Sequence, residues 1–237
     1  MKLNRTFYIV TIFSIAMGFL ETAVVIYLRK LYYPHGFSFP LAPVHQDISI
    51  TELYREAATI IMLITTGMLA GRNKAERFGY FLYSFAVWDV FYYVFLKIFI
   101  NWPESLMTWD ILFLLPLPWV GPVLTPVILA ATMALFAVTI VHYTNKQVPV
   151  SMKRVERILL WSGAIIAIIS FMQDYVAHKG ITLWKNITTP SRSLFMELVD
   201  YVPVWFDWPL FLFAEGLILA AYVIYVRRLR KTSNQPL

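Results

Sequence analysis

The sequence predicts an all-α integral membrane protein with six transmembrane helices, and three observations support this fold class. Of the 237 residues, 59% are hydrophobic and only 14% are charged, and the mean hydropathy is +0.64. Soluble domains are nearer about 45–50% apolar and about 25% charged. The apolar residues are gathered into runs of the length that a helix needs to cross a bilayer. The segments between these runs are alternately rich and poor in basic residues.

The six runs predict one polytopic membrane domain that covers residues 1–237. The predicted spans are about 6–28, 54–71, 78–99, 120–142, 157–177 and 208–227. The first run could resemble a signal peptide, but it is too long, contains Glu21 and has no small-residue cleavage pattern after it, so we interpret it as a helix. The chain has no cysteine, which excludes disulfides and Cys-ligated iron–sulfur clusters.

The basic residues predict the orientation of the chain. Only Glu76 and Glu156 of the 14 acidic residues fall on the side that carries most of the basic residues. By the positive-inside rule this side is cytoplasmic, so both termini are expected in the cytoplasm. The basic residues on this side are 13 of the 20: Lys2, Arg5, Arg72, Lys74, Arg77, Lys146, Lys153, Arg154, Arg157, Arg227, Arg228, Arg230 and Lys231.

This distribution explains the net charge of +6 without a nucleic-acid partner. The expected partner is the lipid bilayer, with another membrane subunit or a homo-oligomer as open alternatives. The chain is broadly similar to small polytopic proteins of bacterial inner membranes. We therefore expect a multi-pass protein of a cell membrane, of the bacterial inner-membrane type.

The first two connections on the predicted outer side are long: the first predicts ordered coil that ends at a helix start, and the second predicts a helix start and a short apolar piece. Ser49 and Glu52 match a capping box that would begin the second span at about Thr51. The sequence Trp102-Pro103-Glu104 is typical of a helix start. The apolar piece from Leu112 to Pro118 is too short to cross the membrane, so it predicts an interfacial or re-entrant segment.

Two further patterns concern the outer face. The third connection contains apolar residues on one face of the stretch Pro190 to Val202, which predicts an interfacial helix. Four prolines, Pro116, Pro118, Pro122 and Pro126, should leave the outer end of the fourth span kinked or unwound. We therefore expect interfacial or re-entrant helices on the outer face.

Five carboxylates lie in the apolar runs or at their ends, all at a similar depth toward the predicted outer side: Glu21, Glu56, Asp89, Asp174 and Glu215. A carboxylate at membrane depth costs about 3 kcal/mol on insertion scales and is a functional-site candidate by default. The shared depth predicts one polar site that opens to the outside. Since basic residues are few on that side, we expect the carboxylates to bind a cation or to hold protons.

Five further residues support this site: Glu52, Tyr92, Tyr93, Asp110 and His178. The two tyrosines follow Asp89 within one helical turn, where a phenol can donate a hydrogen bond to a carboxylate. Each carboxylate also has a structural interpretation, because a hydrogen bond from tyrosine or an ion pair with a nearby arginine would satisfy it without any chemistry. The residue types alone leave both interpretations open.

Two pairs of residues have the spacing of metal ligands. Glu52 and Glu56 are four residues apart, as are Asp174 and His178, so each pair lies on one helix face. Carboxylate and imidazole groups bind divalent metals. A divalent metal is therefore an alternative cofactor at either pair, and the sequence names no other cofactor.

Three function classes remain open from the sequence. The favoured class is a protein that binds or transports a cation, a proton or a proton-coupled small solute. The second is a membrane enzyme acting on a lipid or lipid-linked substrate at the outer leaflet. The third is an accessory subunit of a larger membrane complex. The sequence contains no nucleophile elbow, no Gly-rich phosphate loop and no HExxH motif, and it leaves open whether the protein is an enzyme.

Overall fold

The computed structural model describes residues 5–179, 199 and 201–234. In these residues it contains six long helices, each long and apolar enough to cross a membrane, so the prediction of a polytopic helical membrane protein is confirmed. The helices are α1 (Arg5–Tyr32), α2 (Gln46–Ala70), α3 (Lys74–Ile100), α4 (Leu124–Asn145), α5 (Arg154–Lys179) and α6 (Trp208–Ser233). Asp207 caps α6, since its Oδ1 accepts a hydrogen bond of 2.9 Å from the Leu210 amide.

The start of α2 differs from the prediction. The helix begins at Gln46, more than one turn before Thr51. Ser49 lies inside it and donates its hydroxyl to the His45 carbonyl at 3.2 Å, while Glu52 forms an ion pair with Arg55. The predicted capping box is therefore wrong, because both of its side chains have other partners.

The second long connection forms a β-hairpin in place of the predicted helical pieces. Strand β1 (Trp109–Phe113) pairs antiparallel with β2 (Trp119–Pro122), and Asp110 lies opposite Gly121. Residues 102–104 do not begin a helix, and the predicted re-entrant piece 112–118 is the end of β1 and the turn after it. Prolines 116 and 118 disfavour a helix here, whereas isoleucine and aromatic residues favour strands.

The remaining predictions for this face have different outcomes. The first residues of the fourth predicted span lie in β2, and α4 begins only at Leu124, so the proline-containing start of that predicted span is not helical. The predicted interfacial helix at 190–202 lies almost entirely outside the described residues.

Helix α3 is the centre of the first part of the bundle. It packs against α1, α2 and α4, while α5 packs against α6, and α6 also contacts α4. Glycines allow close approach at these crossings: a Cβ on Gly18 would lie 2.9 Å from the Trp88 carbonyl oxygen, and one on Gly163 would lie 2.7 Å from that of Ala214. Small residues at crossings are how helices pack closely in lipid, where apolar burial gives little driving force.

The bundle has two ends that differ in their connections. We call the end with residues 33–45 and 101–123 the hairpin end, and the end with residues 71–73 and 146–153 the terminal end. At the terminal end Glu76 pairs with Arg72 at 2.5 Å, and Glu156 pairs with Arg228 at 2.7 Å. These ion pairs connect neighbouring segments at the terminal end. The cavity described next lies at the hairpin end.

Candidate binding cavity

A cavity of about 180 Å³ lies at the hairpin end, between α1 and α2, with α3 and β1 completing its walls. It can hold several water molecules or a small solute, since one water occupies about 30 Å³ of the liquid. Seven of the side chains that line it carry a formal charge: Glu21, Arg29, Glu52, Arg55, Glu56, Asp89 and Asp110.

Arg55 bridges two of these carboxylates. Its Nη1 donates to Glu21, and its Nε and Nη2 donate to Oε2 of Glu52 at 2.9 and 2.8 Å. The Thr59 hydroxyl lies 3.4 Å from the second oxygen of Glu21. Glu21 is therefore held by an arginine on the facing helix, which is the structural interpretation that the sequence left open.

Arg29 and Asp110 form a second buried pair. Arg29 Nη2 lies 3.4 Å from Asp110 Oδ1, and the Tyr93 hydroxyl donates to Oδ2 at 3.1 Å. The Arg29 guanidinium lies 3.6 Å from the ring centroid of Trp102 and 4.4 Å from that of Phe37, a cation–π arrangement. Burial raises the pKa of Asp110 to about 6, although Arg29 and the Tyr93 hydrogen bond oppose the shift.

Glu56 ties the turn of the hairpin to α2. Its two carboxylate oxygens accept hydrogen bonds from the Leu114 amide at 2.9 and 3.0 Å, and one of them accepts a third from the Leu115 amide at 3.2 Å. The Leu114 and Leu115 amides follow the end of β1 and have no partner in the sheet, so the Glu56 carboxylate is their acceptor. Glu56 thereby positions the hairpin across the cavity.

Asp89 is the exception among the acids of the cavity. Within the described part of the chain, no side chain or backbone group forms a hydrogen bond or ion pair with its carboxylate. The hydroxyl of Tyr92, one turn further along α3, likewise has no partner there, and its ring contacts that of Tyr93. The buried Nε1 of Trp88 also lacks a hydrogen bond. One face of α3 thus presents unused polar groups to the cavity.

The other two predicted carboxylates lie elsewhere. Asp174 accepts hydrogen bonds from the Tyr201 hydroxyl at 2.6 Å and from the amides of Val204 and Trp205 at 3.2 and 3.3 Å. Glu215, on α6, accepts one from the hydroxyl of Thr132, on α4, and its buried Oε2 has no partner.

The structure therefore does not gather the five predicted carboxylates into one site. A shared depth places residues on one level of the bundle, but it does not say which helices are neighbours.

Neither predicted pair of metal ligands is arranged for a metal ion. Across residues 5–179, 199 and 201–234, no group of three or more His, Cys, Asp or Glu side chains could hold one. Glu52 forms an ion pair with Arg55, and Glu56 accepts hydrogen bonds from backbone amides of the hairpin. Asp174 is bound to Tyr201, and the exposed ring of His178 lies 5.4 Å from the Tyr201 ring.

Sequence reasoning gave Arg29, Arg55 and Trp88 no place in the site. The signal that could have found Arg55 is its position between Glu52 and Glu56 in an apolar run, because an arginine at membrane depth is rare and is almost always paired. No comparable local signal marks Arg29, which reaches Asp110 only because the hairpin folds back over α1.

No protein-family model, curated protein or solved structure matches the chain. The class that the fold and the cavity define is a polytopic helical membrane protein with a charged cavity at one end of its bundle. A more specific function has to be inferred from the geometry of that cavity.

Proposed function

We propose that the protein binds a small cation at Asp89 and transports it, or a solute coupled to a proton, across the membrane. The observation that carries the proposal is the free carboxyl of Asp89 in a cavity whose other acids are all engaged. An intramembrane carboxyl without a protein partner is costly, so it is retained where it has a ligand or a proton to hold.

The charge balance of the cavity supports a cation rather than an anion. Five acidic side chains face two arginines, and each arginine is already paired with at least one of the acids. Clefts lined by one sign of charge with apolar walls concentrate ions of the opposite sign. An anionic ligand would have to compete with Glu21, Glu52 and Asp110 for the two guanidinium groups, in which Nη1 of Arg29 is a buried donor without a hydrogen-bond partner in the described part of the chain.

The proposal includes an orientation and a route of access. By the positive-inside rule the terminal end, with most of the basic residues, faces the cytoplasm. The hairpin end then faces outward, and a solute enters the cavity from outside the cell.

The proposal is tested in proteoliposomes by following internal pH and cation uptake after addition of a panel of cations. We expect Asp89→Asn to lower cation-dependent flux at least about tenfold, since hydrogen bonds to charged groups contribute about 1.5–3 kcal/mol. The matched control is Glu215→Gln, which neutralises an intramembrane acid outside the cavity and should leave flux within about twofold of wild type. Equal flux in wild type and a folded Asp89→Asn variant, or no cation-dependent flux in wild type, would contradict the proposal.

A further inference from the structure

We infer that the cation bound at Asp89 is a small organic ammonium with an apolar body, namely a primary amine, and not a metal ion. This inference rests on the proposed function, because it names the substrate class of the same cavity. It depends on three features of the cavity: its free acceptors, its walls and its aromatic groups.

The free acceptors are too few for a metal ion. Calcium takes six to eight oxygen ligands, and magnesium requires a nearly octahedral set. Among the acidic and phenolic side chains that line the described part of the cavity, the Asp89 carboxylate and the hydroxyls of Tyr92 and Tyr32 have no hydrogen-bond partner, and together they supply four oxygen atoms. A primary ammonium carries three N–H donors, and one carboxylate, one phenol and one water can accept all of them.

The walls of the cavity are better matched to hydrocarbon than to a hydrated ion. Apolar side chains contributed by α1, the first connection and the start of α2 form much of the lining: Val25, Leu28, Leu41, Val44 and Ile48. Such walls cannot replace the water shell of a metal ion, whereas burying an apolar body against them is favourable. Ligand sites are commonly built this way, with a few polar groups that orient the ligand and apolar walls that hold it.

Aromatic rings line the same cavity and favour an organic cation. Trp88 and Tyr92 lie on either side of Asp89 in the sequence of α3, and Phe113 lines the cavity from β1. Ring faces attract weakly hydrated cations. The hairpin end already uses this interaction, since the Arg29 guanidinium lies over the rings of Trp102 and Phe37.

A primary ammonium has two sources in a membrane: a water-soluble amine and the headgroup of phosphatidylethanolamine. Both present the same group to Asp89. The cavity lies between α1 and α2, which have few contacts with each other, so a lipid headgroup has to be considered beside a soluble amine. The experiment below therefore includes an arm that separates the two sources.

The test measures binding of benzylamine, which is cationic at pH 7, to the full chain in phosphatidylcholine nanodiscs by titration calorimetry. The matched probe is benzyl alcohol, which has the same ring without the charge. We expect benzylamine to bind at least about tenfold more tightly than benzyl alcohol, and Asp89→Asn to remove the difference. Glu215→Gln should retain it, and sodium or calcium chloride at equal ionic strength should not compete.

Tyr92→Phe provides a second variant in case Asp89→Asn does not fold. It keeps the ring and removes the free hydroxyl, so benzylamine affinity should fall about three- to tenfold with benzyl alcohol affinity unchanged. Competition by phosphatidylethanolamine added to the nanodiscs would identify the headgroup as the source, and unchanged affinity would identify a soluble amine. Both outcomes support the ammonium class.

Three results would overturn the inference: equal affinity for the two probes, displacement of benzylamine by sodium or calcium, or full affinity in both α3 variants. If benzylamine fails to bind while flux in proteoliposomes still requires Asp89, the ammonium class is wrong and the proposed function stands. If flux is also independent of Asp89, the proposed function fails with it.

Discussion

At the residue scale, the pairing of individual charges decides which groups are free to bind a ligand. Arg55 holds Glu21 and Glu52, and Arg29 holds Asp110. Removing one partner of a buried pair leaves an uncompensated charge and typically costs about 3–5 kcal/mol. These side chains are therefore best understood as the supports of the cavity, and a substitution among them would report on stability before it reported on binding.

Asp110 provides a prediction about pH. It lies in β1, outside the helices, and burial raises its pKa from 3.8 to about 6. A carboxyl whose pKa is higher in the folded protein than in the unfolded chain destabilises the fold as it ionises. The loss of stability therefore develops as the pH rises from about 4 to about 6, and it is constant above that interval. Asp110→Asn has no such titration.

We expect the Tm of wild type in detergent to fall, relative to that of Asp110→Asn, between pH 4 and pH 6. Glu104→Gln, which neutralises an exposed acid in the same connection, should show no comparable change. A difference in Tm between wild type and Asp110→Asn that stays constant across this range would contradict the role assigned to burial.

At the element scale, the hairpin is the part of the fold that closes the cavity. Its two strands pair only with each other among the described residues, and β2 packs against α5 and the start of α4. An isolated two-stranded hairpin is marginally stable in water, so its position depends on contacts with the helices. Glu56 supplies one such contact at the tip.

Hydrogen exchange tests this contact. We expect Glu56→Ala to increase amide exchange at Leu114 and Leu115 by about tenfold or more, because both amides lose a carboxylate acceptor. Glu56→Gln retains one carbonyl acceptor and should give a smaller increase. Amides in the middle of α4 serve as the internal reference, and unchanged exchange at the tip in the alanine variant would show that the carboxylate does not hold the hairpin.

At the scale of the whole molecule, the two ends of the bundle differ in charge and in elaboration. The terminal end has short connections and most of the basic residues, while the hairpin end has the long connections and the cavity. The positive-inside rule relates this asymmetry to an orientation in the membrane. The natural absence of cysteine makes that orientation simple to measure.

We expect a membrane-impermeant maleimide to label Met107→Cys, at the hairpin end, in intact spheroplasts. Ser151→Cys, at the terminal end, should be labelled only after lysis. Both positions are exposed, and the cysteine-free wild type is the background control. The reverse pattern would place the cavity on the cytoplasmic side and would contradict the proposed route of access.

The predictions from sequence succeeded or failed according to the range of the interactions involved. The predicted start of the sixth span at residue 208 agrees with the start of α6, where the cap by Asp207 involves the Leu210 amide only three residues away. The hairpin was missed because an apolar piece such as Leu112 to Pro118 suits a buried strand or a short helix equally well. The ion pair of Arg29 with Asp110 joins residues 81 positions apart, and no local pattern indicates it.

The sequence by itself predicted six helices that are long and apolar enough to cross a membrane, since the length and hydropathy of a run are local properties and a helix satisfies its backbone hydrogen bonds within one segment. It also predicted that five carboxylates lie at one depth. Only the tertiary structure decided which of them share a cavity, because depth is one coordinate and proximity requires three. Packing on α3 brings Glu21, Glu56 and Asp89 together, and packing between α4 and α6 encloses Glu215 apart from them.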